Sequence, residues 1–190
     1  MKAVVIVAAM LAGSGALAAT APTQAHSPAP APVTAAREPD VIYLPTPPQV
    51  VDAMLEMAKV RKGDVLYDLG SGDGRIPIAA AKKYNVRAVG VDIDPVRIKE
   101  ARANAAAAGV ADKVTFRQED LFKTEIAGAS VVTLYLLSSL NEKLRPRLLA
   151  ELKPGTRIVS HAFRMGDWQP EKTRDVEGST IYFWTVPPRK

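Results

Sequence analysis

Residues 68–75 read DLGSGDGR, and the spacing of their three glycines limits what such a loop can hold. Gly70, Gly72 and Gly74 form a G-x-G-x-G pattern. A dinucleotide loop needs G-x-G-x-x-G, but position 75 is arginine; a phosphate loop ends in Gly-Lys-Ser/Thr, and that ending is missing. The acids are as informative as the glycines. Asp68 closes one apolar run, Asp92 closes a second (RAVGVD) and Asp120 closes a third (KVTFRQED). A carboxylate at the end of the second strand of an open α/β sheet can accept both hydroxyls of a ribose. Ile93 beside it can lie against an adenine face, while the Asp120 carboxylate and the Leu121 backbone can read the adenine edge. Each aspartate alone fits a helix cap or a solvated turn, and Asp94 before Pro95 reads as a cap. Three acids at three successive strand ends place one nucleoside consistently.

The elements that must position these residues follow from periodicity. Thr46 and Pro47 read as an N-cap and first helical residue, with Val50, Val51, Met54, Leu55 and Ala58 at helical spacing and Gly63 beyond the end. Strands are expected at 64–70, 87–92, 113–120, 130–137 and 157–163. Helices are expected at 75–84, 94–110 and 138–152, the last kinked at Pro146. Residues 172–186 break the rhythm, with two strand-like runs around Glu177-Gly178 that predict a hairpin. The fold class is therefore α/β: a Rossmann-like doubly wound sheet with a C-terminal antiparallel hairpin.

Five parallel strands followed by a hairpin resemble the plan of class I S-adenosyl-L-methionine (SAM) methyltransferases. SAM carries no phosphate and brings an ammonium group that needs an acceptor. Asp68 at the strand end and the Gly70 carbonyl can serve it, with Ser71 and Gly72 completing the loop. The segments DLGSGDGR, VGVDIDP, QEDLF and the upstream YLPTP resemble the small seven-strand lysine methyltransferases, archaeal and mitochondrial, and related bacterial enzymes. The match covers roughly residues 43–170. It implies SAM as cofactor, a protein lysine as acceptor, and Tyr43, Pro45 and Thr46 bordering the methionine end of the cofactor.

Methyl transfer from a sulfonium depends mainly on positioning the acceptor, and a lysine amine must arrive neutral, which an apolar channel favours. The acceptor side is expected at the end of the fourth strand, with Tyr135 as the catalytic candidate. His161 and Phe163 end the fifth strand and Trp168 lies beyond; core packing is the favoured reading for each, and His161 reads as a satisfied partner rather than a base. The run after Tyr135 is Leu136-Leu137-Ser138-Ser139-Leu140. It lacks the Pro-Pro-aromatic motif of adenine and glutamine methylation, which disfavours those substrates.

Composition narrows the rest. The chain has no cysteine, which excludes disulfides, thiolate metal sites and Cys nucleophiles. The formal charge of +5 is mild, and no basic-aromatic stripe stands out, so no nucleic-acid partner is expected. Residues 1–18 carry Lys2, an apolar stretch and Ala16-Leu17-Ala18, the pattern of a signal peptide or anchor; 19–39 form a Pro/Ala-rich linker, and the methyltransferase domain occupies 40–190. This suggests a periplasmic or secreted location, with membrane association through the N-terminus or a cytoplasmic location as alternatives. A small-molecule acceptor and a non-catalytic SAM-binding module are the competing functions. The oligomeric state is left open.

Overall fold

A computed structural model describes residues 44–189, and the segments assigned above to a signal, a linker and Tyr43 lie outside them. The first helix, α1 (Pro48–Met57), starts one residue later than expected. Two prolines in series explain the shift: Pro48 takes the first helical position and Pro47 the cap, with no side-chain capping bond. Thr46 is therefore not the cap.

Alternation then proceeds through β1 (Val65–Leu69), α2 (Arg75–Tyr84), β2 (Arg87–Asp92), α3 (Pro95–Ala107), β3 (Val114–Gln118), β4 (Val131–Leu134), α4 (Ser138–Glu151) and β5 (Arg157–His161). The strands stop short of the expected spans at β3, β4 and β5. After Leu134 the chain leaves the sheet, and after His161 it turns at Ala162, whose φ is 62°. α3 opens on Asp94, whose side chain accepts from the Val96 N–H at 2.8 Å, and ends before Gly109 at φ 70°. α4 runs through Pro146 from Ser138 to Glu151. The chain closes with β6 (Lys172–Val176) and β7 (Ser179–Thr185), joined by Glu177 and Gly178 at φ 52° and 75°. Positive φ at both loop residues is the type I′ turn that matches strand twist.

The seven strands lie in the order β3-β2-β1-β4-β5-β7-β6. β1 to β5 pair in parallel, and β7 pairs antiparallel with both β5 and β6. Alternating residues feed two cores. Leu66, Ala88 and Phe116 face α1, α2 and α3, while Tyr67, Val89, Val132 and Ile158 face Leu144 and Leu148 of α4 together with Trp184.

An ion pair pins the amino ends of the strands. The Asp64 carboxylate, 7% exposed, is held by Arg157, by the Ser130 hydroxyl at 2.8 Å and by the Arg61 N–H at 2.8 Å. Burial alone raises this carboxyl, but the Arg61 amide, Arg157 and Ser130 outweigh it and hold it below the usual carboxylate range. Arg157 also donates to the carbonyls of Ala58 and Lys59, at 2.9 and 2.8 Å, and so closes the end of α1.

Candidate functional site

The strand order reverses between β1 and β4, and a pocket opens at the carboxyl ends of these strands. Its floor is the loop that follows β1. Gly70, Gly72 and Gly74 all take positive φ, at 87°, 51° and 80°. At Gly74 a Cβ would stand 2.4 Å from the Phe116 ring; at Gly90 on β2 it would stand 2.6 Å from the same ring and 2.8 Å from the Ser71 Oγ. The loop thus rests directly on Phe116, with no room for side chains at either contact.

The loop's amides are turned inward. The Gly70 and Ser71 N–H groups donate to the Val91 carbonyl at 2.8 and 2.9 Å, and Gly74 donates to the Ser71 carbonyl at 2.9 Å. Gly72 donates to Asp92 Oδ2 at 2.8 Å. A phosphate cradle needs such donors aimed outward, so this loop is not one.

Among the sequence-predicted residues, Thr46, Asp68, Gly70, Ser71, Asp92, Ile93, Asp120, Leu121 and Tyr135 all line one pocket, as does Pro45. Gly72 is not among the lining residues, but its N–H fixes Asp92, which is. The other Asp92 oxygen accepts the Asp94 N–H at 3.0 Å, so both oxygens are oriented by backbone. Asp120 Oδ1 accepts the Phe122 N–H at 2.9 Å. Asp68 is 2% exposed and accepts the Thr133 hydroxyl at 2.7 Å. Burial, reinforced by the charges of Asp92 and Asp73, pushes its carboxyl up to about 7 against the Thr133 bond. The Ser71 Oγ is buried and has no hydrogen-bond partner within the protein.

The pocket is divided by strand order. Asp68, Asp92 and Asp120, with Asp73 and Asp94, lie on the β1–β3 side; Tyr135, Leu136 and Leu140 follow β4, and Leu44 and Pro45 enter from the segment before α1. Two arginines also line the pocket. Arg97 pairs with Glu100 at 2.8 Å, and Arg75 pairs with Asp73 at 2.7 Å.

Arg75 escaped the sequence reading, where it counted only as a missing glycine. Its Nη1 donates to the Thr46 carbonyl at 2.9 Å, tying α2 to a residue 29 positions earlier. The Thr46 hydroxyl in turn shares a hydrogen bond with His161 Nδ1 at 3.2 Å. The imidazole of His161 lies 3.9 Å from the Tyr135 ring, centroid to centroid, with Phe163 6.0 Å from Tyr135. Trp168 does not join them. It packs against Trp184 at 6.0 Å, and its carbonyl accepts the Trp184 indole N–H at 2.9 Å. Among the described residues no group of three or more His, Cys, Asp or Glu could hold a metal ion.

This geometry agrees with the relationships of the chain. Residues 68–172 match the ANTKMT methyltransferase domain. A protein-lysine N-methyltransferase of Saccharolobus islandicus is 48% identical over 153 residues, which cover 78% of this chain and 95% of that protein. The mouse adenine nucleotide translocase lysine N-methyltransferase is 35% identical over 130 residues; the match spans 68% of this chain but 56% of the mouse protein. The crystal structure of an RNA methyltransferase from Salinibacter ruber, in complex with S-adenosyl-L-homocysteine, is 59% identical. It superposes with a TM-score of 0.76 over 77% of this chain and 96% of that one.

Proposed function

The chain belongs to the ANTKMT methyltransferase domain family and is a SAM-dependent methyltransferase, and we propose that its acceptor is the side-chain amine of a protein lysine. The observation that carries this reading is the division of the pocket. The carboxylates of the β1–β3 side outnumber its two arginines, each of which is paired with an acid, and this polar side is the one that would seat the cofactor. The Tyr135, Leu136 and Leu140 side is apolar and aromatic, and desolvation there favours the neutral, nucleophilic form of an amine.

The residues present fit the cofactor. Asp68 and the Gly70 carbonyl would receive its ammonium, Asp92 its ribose hydroxyls, and Asp120 with Leu121 its adenine edge, Ile93 lying against the ring. Ser71 supplies a buried hydroxyl without a protein partner in the same wall. When bound, SAM supplies an electrophilic methyl group on a sulfonium. The chain's own part is to orient the acceptor: Tyr135 holds the amine in line with its hydroxyl and ring, while Leu136 and Leu140 exclude water.

One finding favours a second reading. The Salinibacter ruber protein, 59% identical, is described as an RNA methyltransferase, so RNA is the alternative acceptor. Incubating the protein with methyl-labelled SAM and a cell lysate separates the two. Label that is lost with protease, and that mass spectrometry locates on lysine, is the expected result. Label lost with ribonuclease, or found only in small molecules, would sink the lysine assignment. Tight SAM binding with no turnover on any fraction would point to a binding module.

A further inference from the structure

We infer that His161 is a two-sided positioning residue, fixing Thr46 on the cofactor side through Nδ1 and Tyr135 on the acceptor side through its ring face. The inference rests on the methyltransferase reading of the pocket. Thr46 and Tyr135 both line that pocket, whereas His161 stands behind the wall at 2% exposure. Its two contacts are of different kinds. The Nδ1 bond to the Thr46 hydroxyl, at 3.2 Å, is directional and polar; the ring contact to Tyr135, at 3.9 Å and 31°, is one of packing and quadrupole.

The imidazole is itself held firmly. Ala162 next to it adopts φ 62°, a conformation unfavourable for a residue with a Cβ, and is kept there from two directions. Its N–H donates to the Thr180 carbonyl of β7 at 2.7 Å, and the Phe163 N–H donates back to the His161 carbonyl at 2.8 Å. Burial lowers the affinity of the imidazole for a proton, so the neutral ring is the form present at physiological pH. A neutral imidazole buried between two pocket residues serves here as a spacer whose Nδ1 is bonded to the Thr46 hydroxyl.

Two substitutions separate the contacts. His161→Phe keeps a ring against Tyr135 and removes both ring nitrogens, including the Nδ1 bonded to Thr46; His161→Asn keeps a polar atom near the Nδ1 position and removes the ring. His161→Phe is expected to weaken SAM binding by about threefold to tenfold, the worth of one neutral hydrogen bond, with the acceptor KM unchanged. Thr46→Val removes the same bond from the other end, so it should match His161→Phe, and the double variant should add little further loss. His161→Asn is expected to hold SAM affinity within about twofold and lower acceptor kcat/KM by about threefold to tenfold, the worth of one aromatic pair. It should also shift the Tyr135 ring resonances in spectra of carbon-13 tyrosine-labelled protein, where His161→Phe does so less. Equal losses on both sides in both variants, no loss in either, or additive losses in the double variant overturn the inference. Calorimetric SAM binding and the tyrosine spectra need no acceptor. If they split as stated while no lysine is methylated, the lysine reading fails and the role of His161 stands.

Discussion

Asp68 on β1 and Thr133 on β4 sit opposite each other in parallel register, and the Thr133 hydroxyl donates to the Asp68 carboxylate at 2.7 Å. One strand therefore supplies the acid at the pocket floor and its neighbour orients it, on the two sides of the point where strand order reverses.

That pairing has a consequence with pH. Burial raises the Asp68 carboxyl to about 7, so it is largely protonated below that pH and ionised above it. An ammonium ligand needs the ionised form. SAM affinity is expected to weaken as pH falls through about 7, and binding near neutrality should release protons. Calorimetry in buffers of different ionisation enthalpy reads the release directly. For the ligand-free fold the sign is opposite. A raised carboxyl stabilises fully below its ordinary range, and that contribution is lost as pH rises towards 7. Asp68→Asn should therefore raise the melting temperature at pH 8 while removing SAM binding.

Asp92 is oriented by the Gly72 and Asp94 amides, with its carboxylate in the pocket wall. Asp92→Ala is expected to weaken SAM binding by about tenfold to a hundredfold, the range of one or two charge-assisted hydrogen bonds. Titration calorimetry measures it, and unchanged affinity would count against the ribose role.

The Asp64–Arg157 pair lies at the amino ends of the strands, away from the pocket. Arg157→Ala leaves a buried carboxylate unpaired and should destabilise the fold by about 3 kcal/mol. At a temperature where the variant is folded, SAM affinity should match the unsubstituted protein. The depressed Asp64 carboxyl contributes stability above the ordinary carboxylate range, and this contribution disappears as pH falls through its lowered value. Acid unfolding of the variant should accordingly lose part of its pH dependence below about pH 4.

Gly90 tests the support beneath the loop. A Cβ there meets the Phe116 ring at 2.6 Å and the Ser71 Oγ at 2.8 Å. Gly90→Ala should cost about 1–3 kcal/mol and weaken SAM binding as well, because the overpacking pushes on a pocket residue. Adding Phe116→Leu should restore part of the stability in denaturant titrations.

Much of this was legible beforehand. β2 and α2 occupy the spans read from the sequence, because each is bounded by strong local signals: Asp92 after an apolar run, and the glycine loop before Arg75. The acids could be placed at strand ends by counting alone. What depended on distant partners could not. Thr46 looked like a cap, yet its hydroxyl meets His161, 115 positions away. Core packing is the favoured reading for Trp168 and is what is observed, but its partner, Trp184 on the β6–β7 hairpin, could not be named from spacing. The β4 and β5 runs remain apolar past the points where the backbone leaves the sheet, so composition alone extends them too far.

The inward-turned amides of the glycine loop also bear on the design of inhibitors. A nucleoside carrying a phosphate would face carboxylates while the Gly70, Ser71, Gly72 and Gly74 N–H groups remain engaged inside the protein. An adenosine bearing an aminoalkyl arm offers donors where the wall offers acceptors. Selective ligands for this pocket should therefore be cationic at the 5′ side, and the common phosphorylated nucleotides of the cell should compete poorly.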